Sequence, residues 1–331
     1  MPDYIPVLVT GGAGYVGSHV CKALKGNGIL PITYDDLSTG HKEAVLWGPL
    51  VCGDIADRQK LESVIREYAP VAVLHFAARA YIGESMGKPA EYYRTNVAGT
   101  LSLLEAMEHT GVKRIVFSST CATYGIPETQ PITEDQIQKP INPYGHTKLT
   151  VEQMLQDFES AYSIKSAILR YFNAAGADPE CEIGEDHDPE PHLIPNVLSA
   201  VSNRSPVVIH GDDYPTPDGT CVRDYVHVSD LASAHVAAVR SLLSGADSFS
   251  CNLGTERGVS IREILTTVEE VTGRSVPHQI GPRRPGDPAT LVANTARAKE
   301  LLGWTPCHSD LETIIKTAWS WHRRQQNKCA A

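Results

Sequence analysis

Hydrophobic positions follow two alternating patterns, a short apolar run and then a longer amphipathic stretch. The β-branched run Ile5–Thr10 stops at a glycine, and a helical pattern follows over Tyr15–Lys25. The alternation continues, with strands predicted at Ile32–Tyr34, Leu50–Cys52, Val71–Phe76, Ile115–Ser118 and Ala167–Arg170, and helices at Gln59–Tyr68, Ala90–His109 and Tyr144–Tyr162. Such alternation predicts an α/β fold with a doubly wound parallel sheet covered by helices on both faces.

The second half of the chain has a looser pattern. Pro, Gly and Asp are dense over 178–195 and 211–219, which predicts loops around a ligand. Helical patterns return at Val228–Leu243, Ile261–Thr272 and Leu311–Arg323. We predict a nucleotide-binding domain over residues 1–172 with a returning segment near 224–248, and a smaller, interleaved C-terminal substrate domain formed by 173–223 and 249–331.

Composition narrows the class of protein. The 331 residues include 39 acidic and 29 basic side chains, and a net charge of −10 argues against a nucleic-acid-binding protein. No apolar run approaches the roughly 20 residues of a membrane helix, and no signal peptide is visible. The eight cysteines are scattered without a CxxC pair or a paired His/Cys spacing. We therefore expect reduced thiols, a cytoplasmic protein and no metal site.

A glycine turn after the first strand is the first candidate site. Gly11, Gly14 and Gly17 open the first helix, where missing side chains let the backbone approach a pyrophosphate. Asp35 ends the second strand roughly 20 residues further on, where a carboxylate accepts hydrogen bonds from a ribose and repels a 2′-phosphate. With Asp36 beside it, the pattern predicts a Rossmann-type site for NAD rather than NADP. A plain tight turn is the alternative reading of the glycines alone.

Two further strand ends are candidate cofactor contacts. Asp54 and Ile55 follow the third strand, where an acid and an apolar side chain are suited to contact and cover an adenine. A solvated turn carboxylate is the alternative. Phe76, Ala77 and Ala78 follow the fourth strand, and their small residues permit close approach to a dinucleotide. A plain strand end competes with that interpretation.

A tyrosine and a lysine form the candidate catalytic group. Asn142 is a plausible N-cap and Pro143 fits the first helical position, so Tyr144 and Lys148 lie one turn apart on one helix face. Forming a tyrosinate at neutral pH costs roughly 4 kcal/mol, which a nearby ammonium lowers. Thr120, at the end of the fifth strand, is placed to relay the proton. The group is suited to remove a proton from a hydroxyl bound beside NAD.

These motifs together resemble the extended short-chain dehydrogenase/reductase superfamily and, within it, the UDP-glucose (UDP-galactose) 4-epimerases. The resemblance spans nearly the whole chain. It lies in Gly-Gly-Ala-Gly-Tyr-Val-Gly at 11–17, Gly-Asp-Ile at 53–55, His-Phe-Ala-Ala at 75–78, Gly-Glu-Ser at 83–85, Ser-Ser-Thr-Cys-Ala-Thr-Tyr-Gly at 118–125, Asn-Pro-Tyr-Gly at 142–145 with Lys148, Arg-Tyr-Phe-Asn at 170–173, and Asp-Gly-Thr-Cys-Val-Arg-Asp-Tyr-Val-His-Val at 218–228. The last motif is close to diagnostic for the epimerase branch.

The resemblance implies tightly held NAD and inversion at sugar C4 through a 4-keto intermediate, without net redox. Tyr144, helped by Thr120, would remove the proton of the 4-hydroxyl, and Lys148 would anchor the nicotinamide ribose. It also implies cofactor contacts at Tyr15, Val16, Asn96, Ser118 and Tyr171, in addition to the residues above. Substrate contacts are implied for Thr120, Tyr144, Asn173, His192, Leu193, Val208, His210, Arg223, Arg284, Asp287 and Leu291.

The resemblance also implies a homodimer formed through helices Ala90–His109 and Tyr144–Tyr162, whose apolar residues would otherwise be buried inside the chain. The chain departs from the family pattern at three positions. Ala80 stands where many members have a lysine, with Arg79 as its possible substitute, and His192 stands where an asparagine is common. Leu291 leaves open whether N-acetylated sugars are accepted.

Several alternative functions share much of this pattern. A UDP-arabinose/UDP-xylose 4-epimerase and a UDP-GlcNAc/GalNAc 4-epimerase are the nearest. A nucleotide-sugar 4,6-dehydratase usually has an Asp-Glu pair directly after the strand-end threonine, whereas Cys121 and Ala122 follow it here. A non-catalytic NAD-binding protein would not need the Thr120, Tyr144 and Lys148 set.

Overall fold

A seven-stranded parallel sheet forms the centre of the computed structural model, which describes residues 4–284 and 287–330. The strands are β1 Ile5–Thr10, β2 Ile29–Asp35, β3 Leu50–Cys52, β4 Val73–His75, β5 Arg114–Thr120, β6 Lys165–Tyr171, β7 Asn173–Ala175, β8 Val207–His210, β9 Val222–His227, β10 Phe249–Leu253, β11 Gly258–Ser260, β12 His278–Gly281 and β13 Thr290–Leu291. The α-helices are α1 Tyr15–Gly26, α2 Arg58–Tyr68, α3 Ile82–Gly87, α4 Pro89–Tyr92, α5 Gly99–Thr110, α6 Pro143–Tyr162, α7 Leu193–Asn203, α8 Val228–Leu243, α9 Ile261–Thr272, α10 Ala296–Leu302 and α11 Leu311–Ala330.

The order of the strands creates a binding crevice. The sheet runs β10-β6-β5-β4-β1-β2-β3, so successive strands are added outward from β1 on one side and from β4 on the other. The chain direction across the sheet therefore reverses between β1 and β4, and ligands of doubly wound sheets bind at the carboxyl ends of such strands. The predicted fold class is confirmed.

Helices bury both faces of this sheet. On one face α1 packs against α8, with Val20 and Leu24 meeting Leu231 and Val239 in one fully buried cluster. On the other face α2, α5 and α6 supply a second cluster that includes Leu61, Leu104, Val151 and Leu155. Both faces of the strands are therefore apolar, which explains their near-continuous hydrophobic runs.

The structure corrects two boundaries. Strand β10 pairs in parallel with β6, so the returning segment continues to Leu253 rather than ending near 248. Its sequence, Phe-Ser-Cys-Asn-Leu, lacks the continuous apolar run of a central strand, because it lies at the sheet edge. The helix predicted over Ala90–His109 is α4 and α5 joined by the π-helical segment Tyr93–Ala98. The division into two domains remains a prediction.

The second half contributes smaller sheets beside the crevice. Strand β9 pairs with β7, β11 and β13, and β8 pairs with β12. Helices α7, α9 and α11 cover a separate apolar cluster that includes Val197, Ile264 and Ile315. Within the described residues, no helix has the length and apolar content needed to cross a membrane.

Candidate active site

The glycine turn has two glycines that tolerate no side chain. Gly11 has φ +74°, and a Cβ there would lie 2.5 Å from the backbone nitrogen of Ala77. A Cβ on Gly17 would lie 2.2 Å from the carbonyl oxygen of Gly11. Gly14 is the N-cap of α1 and provides no side-chain cap, so the first N–H groups of the helix remain available to an anion. The turn therefore fits the pyrophosphate of a dinucleotide.

Asp35 couples the end of β2 to this turn. Its two carboxylate oxygens accept the N–H groups of Ala13 at 3.0 Å and Leu37 at 2.9 Å. Burial raises the pKa of Asp35, and these two hydrogen bonds oppose the rise. Asp36 is exposed and accepts the N–H of Ser38. The carboxylate expected at the adenosine ribose is therefore held next to the glycine turn.

The other expected cofactor contacts line the same edge of the sheet. The N–H groups of Phe76 and Ala77 both donate to the carbonyl of Thr10, at 2.8 and 3.0 Å, which places 76–78 beside β1. Ile55 is buried and packs closely on Gly99. A Cβ on Gly99 would lie only 2.5 Å from the side chain of Ile55. Asp54 is exposed, and its carboxylate accepts the N–H of Ala56.

Asn96 fixes the loop after β4. Its amide donates to the carbonyl of Arg79 and to the hydroxyl of Thr147, both at 3.0 Å, and its oxygen accepts the N–H of Arg79 at 2.8 Å. The residue is fully buried within the π-helical segment. It therefore ties the loop to α6, the helix that carries Tyr144 and Lys148.

Lys148 lies at the end of β5. Its ammonium donates to the carbonyl of Ser118 at 2.7 Å, and the side chain of Ser118 forms a short hydrogen bond with the hydroxyl of Tyr171. Only 3% of Lys148 is exposed, and this burial lowers its pKa to about 7, with the charge of Glu152 opposing the effect. The cation is thus held inside the crevice.

Tyr144 is largely buried one turn before Lys148. The side-chain oxygen of Asn142 caps α6 by accepting the N–H of Gly145 at 2.8 Å. Pro143 occupies the first turn of the helix, as the sequence predicts. The Nζ of Lys148 lies 6.0 Å from the centre of the Tyr144 ring. Burial and the neighbouring Tyr171 raise the pKa of Tyr144, whereas its hydrogen bond with Thr120 lowers it. A hydroxyl, a phenol and an ammonium therefore converge at the end of β5.

A buried ion pair holds α6 against the sheet. Arg170 of β6 binds Glu152 of α6 at 2.6 Å, and both residues are nearly inaccessible. The hydroxyl of Ser119 also donates to Glu152 at 2.5 Å. Because Glu152 is one turn beyond Lys148, the pair fixes α6 against β5 and β6. The sequence analysis missed this pair: Arg170 belongs to the Arg-Tyr-Phe-Asn motif, but no spacing in the sequence connects it with Glu152.

Three residues expected to contact the substrate come from the second half of the chain. Neighbouring strands carry Asn173, Arg223 and Leu291, and Leu291 lies beside Arg223 in the register. Leu291 packs on a cluster that contains Cys121, the residue after Thr120. Arg223 is buried and forms a short ion pair with Asp287.

Other expected substrate residues lie around this sheet. Val208 and His210 are on β8, and His210 lies beside Gly281 of β12. Arg284 is exposed, and its carbonyl accepts the N–H of Asp287 at 3.2 Å. Leu193 begins α7, directly after His192.

Two further residues singled out in the sequence have acidic partners. His192 forms a short hydrogen bond with Glu185. Arg79 binds Glu91 at 3.0 Å and lies 3.5 Å from Glu84. The sequence analysis also missed a cluster around His192, because its search for paired spacings considered only cysteine and histidine.

The fold and the site together define an enzyme of the NAD-dependent Rossmann class, with a Tyr/Lys/Thr group at the sheet edge. Residues 7–254 match the NAD dependent epimerase/dehydratase family, and the chain belongs to this family. The expected NAD dependence and the expected superfamily are thereby confirmed.

Known relatives match over almost the whole chain. The UDP-glucose 4-epimerase of Rhizobium leguminosarum bv. trifolii is 51% identical, over 96% of this chain and 97% of the relative. The UDP-glucose 4-epimerase of Brucella ovis, solved in complex with NAD, is 54% identical with a TM-score of 0.94, over 95% of this chain and 97% of that one. A UDP-glucose-4-epimerase of Stenotrophomonas maltophila, solved with bound NAD and formylated UDP-arabinopyranose, is 40% identical with a TM-score of 0.95. The match covers 98% of this chain and 100% of that one. The resemblance to the epimerase branch is confirmed.

Coenzyme choice can be tested at Asp35. The Asp35→Ala variant should retain less NAD and discriminate less against NADP, because it loses the carboxylate that repels a 2′-phosphate. Bound nucleotide measured after gel filtration, and binding of each coenzyme to the emptied protein, provide the readout. Asp36→Ala is the matched control, with a smaller expected effect since Asp36 is exposed. An unchanged coenzyme preference in Asp35→Ala would contradict the assignment.

Proposed function

We propose that this protein is an isomerase that interconverts UDP-glucose and UDP-galactose by inverting sugar C4. The observation that carries the proposal is the convergence of Thr120, Tyr144 and Lys148 at the same carboxyl edge of the sheet as the glycine turn. Bound NAD supplies the chemistry of accepting a hydride from C4 and returning it. The NAD contacts we propose are the turn residues, Asp35 and the strand-end residues described above.

Tyr144 acts as the base in this proposal. The 4-hydroxyl of the sugar gives its proton to the phenolate, either directly or through the hydroxyl of Thr120. Burial raises the pKa of Tyr144, so forming the phenolate depends on nearby positive charge. Lys148 supplies that charge, and Glu152 helps to keep it protonated.

Arg223 and Arg284 bind the diphosphate of UDP in this proposal. A guanidinium matches phosphate geometry and keeps its charge when buried, as Arg223 is. Asp287 holds Arg223 in place and contacts the uridine ribose. Asn173, Leu193, Val208 and His210 complete the contacts to the nucleotide, while Leu291 limits the sugar pocket next to Cys121.

A deuterium label separates this reaction from a 4,6-dehydration. With UDP-[4-²H]galactose, the epimerase returns the label to C4, so UDP-glucose retains deuterium at that carbon. A dehydratase would move the label to C6 and release water, but Cys121 and Ala122 occupy the positions where dehydratases usually have acids. Proton NMR of the purified product reads the position directly. Deuterium at C6 would overturn the proposal.

We further propose a homodimer that forms through the helices on the α5 and α6 face. Leu104, Val151 and Leu155 are buried inside the chain, so they do not contribute to such an interface. Leu101 of α5 is 42% exposed, and Tyr93 of the preceding π-helical segment and Met86 of α3 are also exposed. These exposed apolar side chains support the proposed interface.

The dimer predicts a clear effect of Leu101→Glu. A charge placed in an apolar interface should shift the protein towards monomer, because its desolvation opposes association. Light scattering coupled to gel filtration measures the mass. Ile137→Glu, at an exposed site outside these helices, is the control and should leave the mass unchanged. A wild-type monomer at micromolar concentration would refute the dimer.

A cytoplasmic location is also proposed. It is supported by the free state of Cys21, Cys52, Cys121, Cys181, Cys221, Cys251 and Cys307. The partner is a UDP-sugar, and neither nucleic acid nor membrane enters the proposal.

A further inference from the structure

A loop before α7 brings two histidines and two glutamates around one point. Glu185, His187, Glu190 and His192 each offer one ligand atom, and these four atoms all lie within 4.8 Å of one another. The side chains of Glu185, His187 and Glu190 are 6%, 13% and 20% exposed, whereas that of His192 is 45% exposed. Three of the four ligands are therefore largely shielded from solvent, and His192 forms the exposed side of the cluster.

Three separations within the cluster are those expected between ligands of one ion. Nδ1 of His187 lies 3.3 Å from Oε1 of Glu185 and 3.6 Å from Oε2 of Glu190, and Nδ1 of His192 lies 3.5 Å from Oε1 of Glu190. A tetrahedral zinc ion with bonds of about 2.0–2.2 Å separates its ligand atoms by about 3.3–3.6 Å. His192 and Glu185 are closer than this, in a short contact that an ion between them would open.

Hydrogen bonding alone leaves one atom of the cluster unexplained. Nδ1 of His187 is inaccessible to solvent and makes no hydrogen bond, although two carboxylates face it. A buried nitrogen without a hydrogen-bond partner is costly. A lone pair directed at a cation accounts for its position.

We propose that Glu185, His187, Glu190 and His192 bind a divalent transition-metal ion of the zinc type, in a closed structural site. Imidazole nitrogens favour zinc and its neighbours, whereas calcium and magnesium prefer oxygen ligands alone. The charge also balances. The two carboxylates neutralise the charge of one divalent ion.

A second cluster of acidic residues lies in the same loop region, but a lysine of the chain already neutralises it. Asp178, Glu180 and Glu182 also converge, but the ammonium of Lys22 already lies 2.6–2.8 Å from each of them. That group has its cation within the chain. It therefore serves as a matched control for the metal site.

The location of the site indicates what the ion does. The ring of His187 lies edge-on to Tyr15 of the glycine turn and to Tyr81, at centroid distances of 6.4 and 5.5 Å. Within the loop, the carbonyl of Glu185 accepts the indole N–H of Trp321 from α11 at 2.8 Å. The ion fastens this loop against the cofactor turn without taking part in the chemistry. His192 then acts as a metal ligand rather than the diphosphate contact implied by the family resemblance.

The decisive experiment uses Zn²⁺ alone, without substrate. Protein stripped with a strong chelator is equilibrated with Zn²⁺, passed through gel filtration and measured for zinc by mass spectrometry. We expect about one zinc per wild-type chain, and less than about a tenth of that in His187→Ala and in Glu190→Gln. His278→Asn, at an exposed histidine far along the chain, and Glu180→Gln, in the Lys22 group, should match the wild type.

A second readout does not depend on the variants folding. The Co²⁺ form of the wild type should show the intense visible bands of a tetrahedral site. Absence of zinc from the wild type, equal zinc in wild type and both site variants, or octahedral Co²⁺ bands would each overturn the proposal. None of these readouts uses epimerisation, so the site can fail while the proposed function stands.

Discussion

Replacing Tyr144 with phenylalanine is expected to lower turnover of UDP-galactose by about 10²–10⁴-fold, the range that a positioned acid–base group contributes. The variant loses one hydroxyl, the atom that removes the proton of the sugar 4-hydroxyl. Thr120 remains, but a threonine hydroxyl is far too weak an acid to serve as the base at neutral pH. The fold should persist, because Asn142 still caps α6 and Arg170 still binds Glu152.

The measurement for Tyr144→Phe combines turnover, bound NAD and the unfolding temperature. Tyr162→Phe, near the exposed end of the same helix, is the matched control and should retain full activity. Loss of turnover with NAD and stability preserved supports the proposed role. Full activity in Tyr144→Phe would eliminate it.

Lys148→Met is expected to lower turnover by at least about 100-fold and to move the activity towards higher pH. The buried ammonium is the cation nearest Tyr144 on the helix, so its loss raises the pKa of the phenol further. More alkaline solution is then needed to form the phenolate. The variant also removes the hydrogen bond to the carbonyl of Ser118, which weakens the hold on the cofactor side of the crevice.

A pH–rate profile with saturating substrate tests this expectation. In the wild type, burial lowers the pKa of Lys148 to about 7, so its charge is present below that pH and is lost as the pH rises through it. Lys165→Met is the control, because Lys165 forms only surface ion pairs and its loss should change the pH–rate profile little. An unshifted profile in Lys148→Met would show that the lysine acts through binding alone.

Local signals in the sequence predicted much of the cofactor side. The strand Ile5–Thr10, the glycine turn and the cap at Asn142 depend on neighbours in the chain, and all three are present as predicted. Short-range steric and hydrogen-bonding rules were sufficient there. The expected fold class followed from the same regular alternation.

Features that depend on distant contacts were not predictable in this way. Arg170 and Glu152 are on different elements, and β7, β11 and β13 are only two or three residues long, too short for a periodic pattern. Strand β10 lacks an apolar run because it lies at an edge. The 185–192 cluster mixes histidine with glutamate, so a search for cysteine and histidine pairs passed over it.

The most direct test of the central claim is to mix purified protein with UDP-galactose, add no coenzyme, and follow the nucleotide sugars by proton NMR. The account predicts that UDP-glucose appears, that the mixture settles at a constant ratio, and that no net NADH accumulates. If the sugars remain unchanged even after NAD is supplied, the interconversion of UDP-hexoses is contradicted, and UDP-xylose is the next substrate to test.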